Sequence, residues 1–304
     1  MPKSGLIHFK TITELHRSCG LPGPEHPSIS VVDYATINIR ALPAGIIFDG
    51  YSIAVKRGTA GIRMMYGQQQ YDFDAGVMLF TAPNQVIRIE ATQNSDVAHS
   101  GWILFIHPDF LWNTSLAKTI KRYEYFGYSV NEALFLSNKE ENIINTIIQN
   151  IQQEYHSNID NFSQGIVIAH LETLLSYAER FYHRQFITRK KANHQVLDRL
   201  EELLNDYLND DVITKGLPTV QYLSGKLNIS VSYLSRMLKV LTGQTTQQHI
   251  HEKLIEKAKE KLSTTDLSVS EIAYQLGFEH SQTFSRLFKS KTNQSPLEFR
   301  ASFN

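Results

Sequence analysis

The chain has a single cysteine, Cys19, among 304 residues. It can form no internal disulfide, and with no metal-type spacing of Cys or His a reducing compartment is the default. Long apolar runs are missing as well. None approaches the roughly 18 residues that a membrane span needs, and the N-terminal stretch MPKSGLIHFKTITELHRSCG is too polar for a secretory signal. The expected location is the cytoplasm, with no membrane partner. Net charge is absent too, because 30 Lys+Arg balance 30 Asp+Glu. No chain-wide basic excess therefore advertises nucleic acid.

Catalytic signatures are equally sparse. There is no glycine-rich phosphate loop and no G-x-S-x-G elbow. His99 and His107 stand alone, and an isolated histidine is more often structural than a metal ligand. Asp72 and Asp74 alternate on one strand face, where a solvated edge is a commoner fate than acid–base work. No metal, cofactor or enzymatic activity is expected. What remains is an ordinary globular composition, 42% hydrophobic and 20% charged, long enough for two domains.

The charge is unevenly spread. Residues 212–304 carry 12 Lys+Arg against 7 Asp+Glu, a difference of +5. That excess suits a polyanion partner. Residues 28–107 contain short apolar or alternating runs (SISVVDYATINIR, GYSIAVKRG, GIRMMYG, GVMLFTA, QVIRIEAT, GWILFIH) punctuated by Gly, Pro and Asn. This spacing predicts a small all-β barrel or sandwich. Isoleucines 143, 144, 147, 148 and 151 then recur at helical spacing, as do Val167, Leu171, Leu174, Ala178 and Phe181. Two such helices can cover the β domain or pair with a second subunit. ITRKKANHQ (187–195) is polar and basic and is the linker candidate, with a helix expected over Val196 to Leu208.

The C-terminal part repeats itself. In PTVQYLSGKLNI (218–229) and LSVSEIAYQLGF (267–278), Val220, Leu223, Ser224 and Leu227 match Val269, Ile272, Ala273 and Leu276. These are the i, i+3, i+4, i+7 positions of a buried helix face. Thr219 and Ser268 stand at N-cap positions, and Ser268 with Glu271 makes a capping box. Asn228 and Gly277 suit left-handed corners. A second helix follows each corner, SYLSRMLK (232–239) and QTFSRLFK (282–289). Leu234, Met237 and Leu238 match Phe284, Leu287 and Phe288 inward. Ser235, Arg236 and Lys239 match Ser285, Arg286 and Lys289 outward. The offset between copies grows from 49 to 50, so the later turn holds one extra residue. Helix, tight turn, helix with a polar basic face is the plan of a DNA-reading helix-turn-helix. Between the copies, QHIHEKLIEKAKEKL (248–262) is a helix with an apolar seam that can hold two reading heads apart.

Residues 217–300 resemble the DNA-binding domain of AraC/XylS-family transcription regulators. The resemblance rests on I-A-x-x-x-G-F, S-x-x-F-S-R-x-F-K and S-P-x-E-F-R in the second copy. Ser224, Leu238, Lys253 and Asn293 depart from the residues common in the family. Lys253 keeps a positive charge but loses the guanidinium fork. The resemblance implies two helix-turn-helix units on double-stranded DNA. Val231, Ser232, Ser235, Arg236 and Lys239 would serve in the first, and Ser281, Gln282, Thr283, Arg286 and Lys289 in the second. Arg and Gln can read guanine and adenine edges, and Lys239 and Lys289 fit phosphate. Residues 67–86 (GQQQYDFDAGVMLFTAPNQV) are similar to cupin-like sensor barrels but lack their His-x-His pair.

The implied protein is an α+β multidomain chain. Residues 1–136 form a cupin-like β sensor and 137–186 a helical pair that either covers it or serves dimerisation. Residues 187–195 form a linker and 196–304 an all-α DNA-binding domain. The latter holds helix-turn-helix units at about 217–242 and 266–291, joined by a long helix. A small-molecule effector, a homodimer partner and RNA polymerase are the other expected partners; activator and repressor both stay open, and the alternatives are a ligand-independent regulator with the barrel as a dimerisation module or a metal-free cupin enzyme. Arg40, Tyr51, Arg63 and Tyr71 are candidate polar groups of an effector pocket or, equally, surface strand positions.

Overall fold

Alternation along a single strand decides the layering of the N-terminal unit. In the computed structural model, which describes residues 6–37, 45–57, 76–88, 100–128, 132–156, 162–188 and 190–302, the chain divides into two compact units, Met1–Gln185 and Phe186–Asn304. The first contains β1 (Leu6–Phe9), α1 (Ile12–Cys19), β2 (Ile29–Asp33), β3 (Gly45–Phe48), β4 (Tyr51–Arg57), β5 (Val77–Thr81), β6 (Val86–Arg88) and β7 (Ser100–Ile106). After these come α2 (Pro108–Leu111), α3 (Ser115–Thr119), β8 (Leu134–Phe135), α4 (Asn138–His156) and α5 (Ser163–Thr188). One sheet has the order β1-β3-β6 and the other β2-β7-β4-β5-β8. Only β1 pairs with its neighbour in parallel. The described residues form these two sheets and no closed barrel.

In β4, Tyr51, Ile53 and Val55 point to the helical side and are buried. Tyr51 meets Phe126 edge to face at 5.0 Å. Ser52, Ala54 and Lys56 alternate to the other face, where Phe105, the partner of Ser52, packs on Phe48 of the smaller sheet at 5.8 Å. The helical pair covers the sheet. The Val31 N–H donates to the Tyr155 hydroxyl at 3.0 Å, and Trp102 Nε1 donates to Asn145 at 2.8 Å. The Tyr125 hydroxyl donates to the Leu175 carbonyl, and its ring stacks on Tyr182 at 5.5 Å. Ile144, Ile147, Ile148 and Ile151 are buried, while Ile143 is exposed.

Several sequence expectations need correcting here. The run at 28–40 is not one strand. It breaks at Asp33, whose carboxylate accepts from the Ala35 N–H and caps a single 3-10 turn, Tyr34–Thr36. The N-terminal stretch, read only as too polar for a signal, forms β1 and α1. Residues 187–195, expected as a linker, follow directly on the boundary between Gln185 and Phe186 and are helical where described: α5 ends at Thr188 and α6 begins at Lys190. The segment is polar but contains no Gly or Pro to stop a helix. Asn193 donates to the Phe186 carbonyl at 2.7 Å. The run at 61–67 and Gln68, Asp72, Asp74 and His99 lie outside the described residues, as do Arg40, Arg63 and Tyr71. Tyr51 is buried on the helical side, which removes it from the space between the sheets. His107 is structural, its ring accepting from the Asp109 N–H at the start of α2.

The second unit is helical throughout. It comprises α6 (Lys190–Asp206), a wider π-turn at Tyr207–Asp211, α7 (Val212–Lys215), α8 (Val220–Leu227), α9 (Val231–Thr242), α10 (Thr246–Thr264), α11 (Val269–Gln275), α12 (Ser281–Thr292) and α13 (Pro296–Ala301). Leu223, Leu234, Met237, Ile250, Leu254 and Ile272 are all buried within it. Three capping boxes, Thr245/Gln248, Ser268/Glu271 and Ser295/Glu298, fix where α10, α11 and α13 begin. Hydrogen bonds from Ser268 and Ser295 hold the carboxyls of Glu271 and Glu298 below their ordinary range.

Candidate nucleic-acid interface

Both corners of the repeat form as their residues predict. Thr219 caps α8 by accepting from the Tyr222 N–H, and the helix ends on Asn228 at φ 57°. Ser230 then caps α9 by accepting from the Tyr233 N–H. In the second copy the left-handed residue is Gly277, at φ 82°, and α12 starts at Ser281. This turn is one residue longer than the Asn228–Val231 step. Glycine is required here for a second reason. A β-carbon on Gly277 would lie 2.7 Å from Val212 Cγ2 and 3.0 Å from backbone atoms of Val212 and Gly216. The corner is seated directly on the end of α7.

Beneath α12, Phe278, Phe284 and Phe288 are buried. Phe284 meets Phe278 at 5.4 Å and Phe288 at 5.8 Å, and Phe288 meets Phe299 of α13 at 5.5 Å. This aromatic row holds the inward face of α12 and leaves Gln282, Thr283, Arg286 and Lys289 exposed, with Ser281 half-buried. On α9, Val231 and Lys239 are exposed, while Ser232, Ser235 and Arg236 are half-buried.

The two copies are therefore not equivalent. The Ser235 hydroxyl lies 3.1 Å from the hydroxyl of Thr246 in the first turn of α10, and Thr246 is itself buried. Ser235, expected on the outward face with Arg236 and Lys239, braces α9 against α10. The expected spacer helix, 248–262, is longer at both ends as α10. On it, Lys253 pairs with Glu256 at 2.8 Å and Lys257 with Glu260 at 3.1 Å. These exposed pairs add only a few tenths of a kcal/mol each, about 0.2–0.5.

Sequence reasoning overlooked one residue that organises the second copy. Arg300, on α13, donates to the Leu262 carbonyl at 3.2 Å and to the Leu267 carbonyl at 2.6 Å. It ties the end of α10 to the start of α11. The S-P-x-E-F-R stretch contained it, but nothing local says which carbonyls a guanidinium will reach. Among the described residues no group of His, Cys, Asp and Glu could hold a metal. Nor, among the described residues, is any helix long and apolar enough to cross a membrane.

Two helix-turn-helix units that expose a polar, basic second helix define a DNA-binding domain. Residues 223–302 match a family model described as a helix-turn-helix domain. The chain is 30% identical over 113 residues to Regulatory protein SoxS of Salmonella typhimurium, covering 36% of this chain and 96% of that protein. It is 24% identical over 257 residues to the HTH-type transcriptional activator RhaS of Escherichia coli O81, covering 83% and 85%. It is 37% identical over 100 residues to an uncharacterized HTH-type transcriptional regulator of Pseudoalteromonas carrageenovora, where the match covers 33% of this chain and about half, 55%, of that protein. The chain belongs to the AraC/XylS family of DNA-binding transcription regulators.

Proposed function

We propose that the protein is a sequence-specific transcription regulator whose second unit reads DNA through α9 and α12. The observation that carries this reading is the exposed Gln282, Thr283 and Arg286 set on a helix anchored by buried phenylalanines. Gln282 and Arg286 offer the side-chain types that pair with adenine and guanine edges in the major groove. Thr283 can hydrogen-bond to either or touch a thymine methyl. Val231, Ser232 and Arg236 face DNA from α9, with Ser281 at the mouth of the second groove. Lys239 and Lys289 hold phosphates. Ser235 positions α9 and reads no base.

The first unit serves as a cupin-like sensor of a small-molecule effector. A bound effector biases the arrangement of the reading domains and so controls transcription. Dimerisation through the start of α5, where the exposed Ile166 follows the exposed Phe162 by four residues, would place two copies on one operator in the cytoplasm beside RNA polymerase. The name of the RhaS relative, a transcriptional activator, supports activation as the mode.

The test is selection from random duplexes by the full-length protein at two salt concentrations. A recovered motif, with affinity that falls steeply as salt rises, is the expected result. Recovery of no motif, or affinity indifferent to salt, refutes the reading.

A further inference from the structure

The two reading heads are anchored differently. Beneath α12 the aromatic contacts come from the second copy and the helix that follows it: Phe284 meets Phe278 and Phe288, and Phe288 meets Phe299. In the first copy, rings reach back to chain that precedes the repeat. Tyr222 of α8 meets Tyr207 of the π-turn edge to face at 4.8 Å. Tyr233 of α9 meets Phe186 at 5.0 Å, with the ring planes 68° apart. Phe186 also lies outside residues 223–302, the stretch that matches the helix-turn-helix family model.

Phe186 is a fixed part of the second unit. It is the first residue of that unit and lies in the last turn of α5. Its side chain is fully buried, although Ile187 and Thr188 beside it are exposed. The carboxamide of Asn193, itself buried, donates to the Phe186 carbonyl at 2.7 Å. A ring held by its own backbone and packed on its face is a rigid seat for a neighbour.

Tyr233 occupies a sensitive place on α9. Ser232 precedes it, and Arg236 follows three residues later, on the neighbouring turn of the same side. The buried Leu234 and Met237 hold the inward face of the helix. Tyr233 is half-buried on the flank between that face and the outward one, so its contact resists rotation of α9 about its own axis. A small rotation would carry Arg236 away from any base edge it reads, because such pairing needs geometry held to within about 10–20°.

We propose that Phe186 is a positioning residue for the first reading helix. Through Tyr233 it sets the rotation of α9, and with it the approach of Ser232 and Arg236 to the bases. The proposal rests on the DNA-reading function above and deepens it. The first head depends on the chain that enters the second unit, while the second head is anchored by its own phenylalanines.

The experiment uses the full-length protein and an array of single-base variants of the motif recovered from random duplexes. Arg236→Ala and Arg286→Ala mark which base pairs belong to α9 and which to α12. Phe186→Leu keeps apolar bulk and removes the ring, and Phe186→Met is the second variant should the leucine protein fold poorly. Phe299→Leu is the matched control beneath α12. Phe186→Leu should cut the penalty for wrong bases in the α9 half by about five-fold or more, the equivalent of one read base pair. The α12 half should stay within about two-fold of the parent, and Phe299→Leu should give the reverse pattern. Equal relaxation of both halves, or base preferences unchanged in both folded Phe186 variants, overturns the proposal. Loss of hydrogen-exchange protection throughout α8 to α13 in both variants overturns it as well, because Phe186 then supports the unit as a whole. Recovery of no motif by the parent protein refutes the DNA-reading function, and the proposal with it.

Discussion

Gly277→Ala isolates what the corner of the second helix-turn-helix requires. Two independent effects add. The residue sits at φ 82°, and an L-residue in the left-handed region costs about 1–2 kcal/mol. The new methyl would also lie 2.7 Å from Val212 Cγ2 and 3.0 Å from backbone atoms of Val212 and Gly216. Two of those three neighbours are backbone and cannot rotate away, so overpacking adds roughly 1–3 kcal/mol. The expected loss is about 2–5 kcal/mol in all. Asn228→Ala at the equivalent corner, φ 57°, adds no β-carbon, because asparagine already has one, so the overpacking part is absent. Hydrogen exchange resolved by peptide in the full-length protein measures both. Gly277→Ala should lower the opening free energy of α11 and α12 by more than Asn228→Ala lowers that of α8 and α9. Adding Val212→Ala should return part of the loss as a coupling energy of about 0.5–3 kcal/mol. Equal losses for the two corner substitutions, or no coupling to Val212, would refute the claim that the corner is wedged against α7.

Three further outcomes can be checked directly. Arg286→Ala should relax preference at one or two base pairs of a selected operator at about 1–3 kcal/mol, whereas uniform weakening across sequences in a binding array would make it a phosphate contact. Ser235→Ala should leave the selected motif unchanged and lower stability by about 1–3 kcal/mol, because the buried Thr246 hydroxyl loses its partner; a changed motif in the same selection would return Ser235 to the reading face. A drop of the Lys56 ammonium from 10.5 to about 8 corresponds to about 3 kcal/mol at most. The unfolded chain holds the extra proton between these values, so Lys56 is destabilising at pH 7 and the penalty fades as pH rises from about 8 to 10.5. In denaturant unfolding, Lys56→Met should therefore exceed the parent at pH 7 by a margin that narrows toward pH 10; a margin constant with pH would count against the shift.

The helix-turn-helix repeat was legible in the sequence because its determinants are local. Caps, corner residues and a 3.6-residue apolar period all lie within single helices, and Phe278, Phe284 and Phe288 followed from them. What could not be read depends on residues far apart in the chain. Ser235 resembles an outward residue until the first turn of α10 arrives beside it, and Arg300 finds carbonyls more than thirty residues earlier. In the β unit, the inward placement of Lys56 depends on strand register, which short alternating runs do not fix. The polar segment 187–195 lies beside the boundary between the units, but polarity alone does not say that it is helical where described; it contains no Gly or Pro to stop a helix. In α1, a usable signal went unread: Thr11 accepts from the Glu14 N–H, Glu14 accepts from the Lys10 N–H, and Gly20 ends the helix at φ 72°.

Arg300 and the capping boxes of α10, α11 and α13 have a consequence for how this protein can change over time. They clasp the spacer helix to the second reading head from beneath, away from Gln282, Thr283 and Arg286. Substitutions on the exposed face of α12 can retune which bases are preferred without disturbing the clasp. A change in the distance between half-sites would instead require breaking the Arg300 hydrogen bonds and the helix caps together. With α12 reading bases as proposed, operators for descendants of this chain would be free to drift in their letters while their spacing stays fixed.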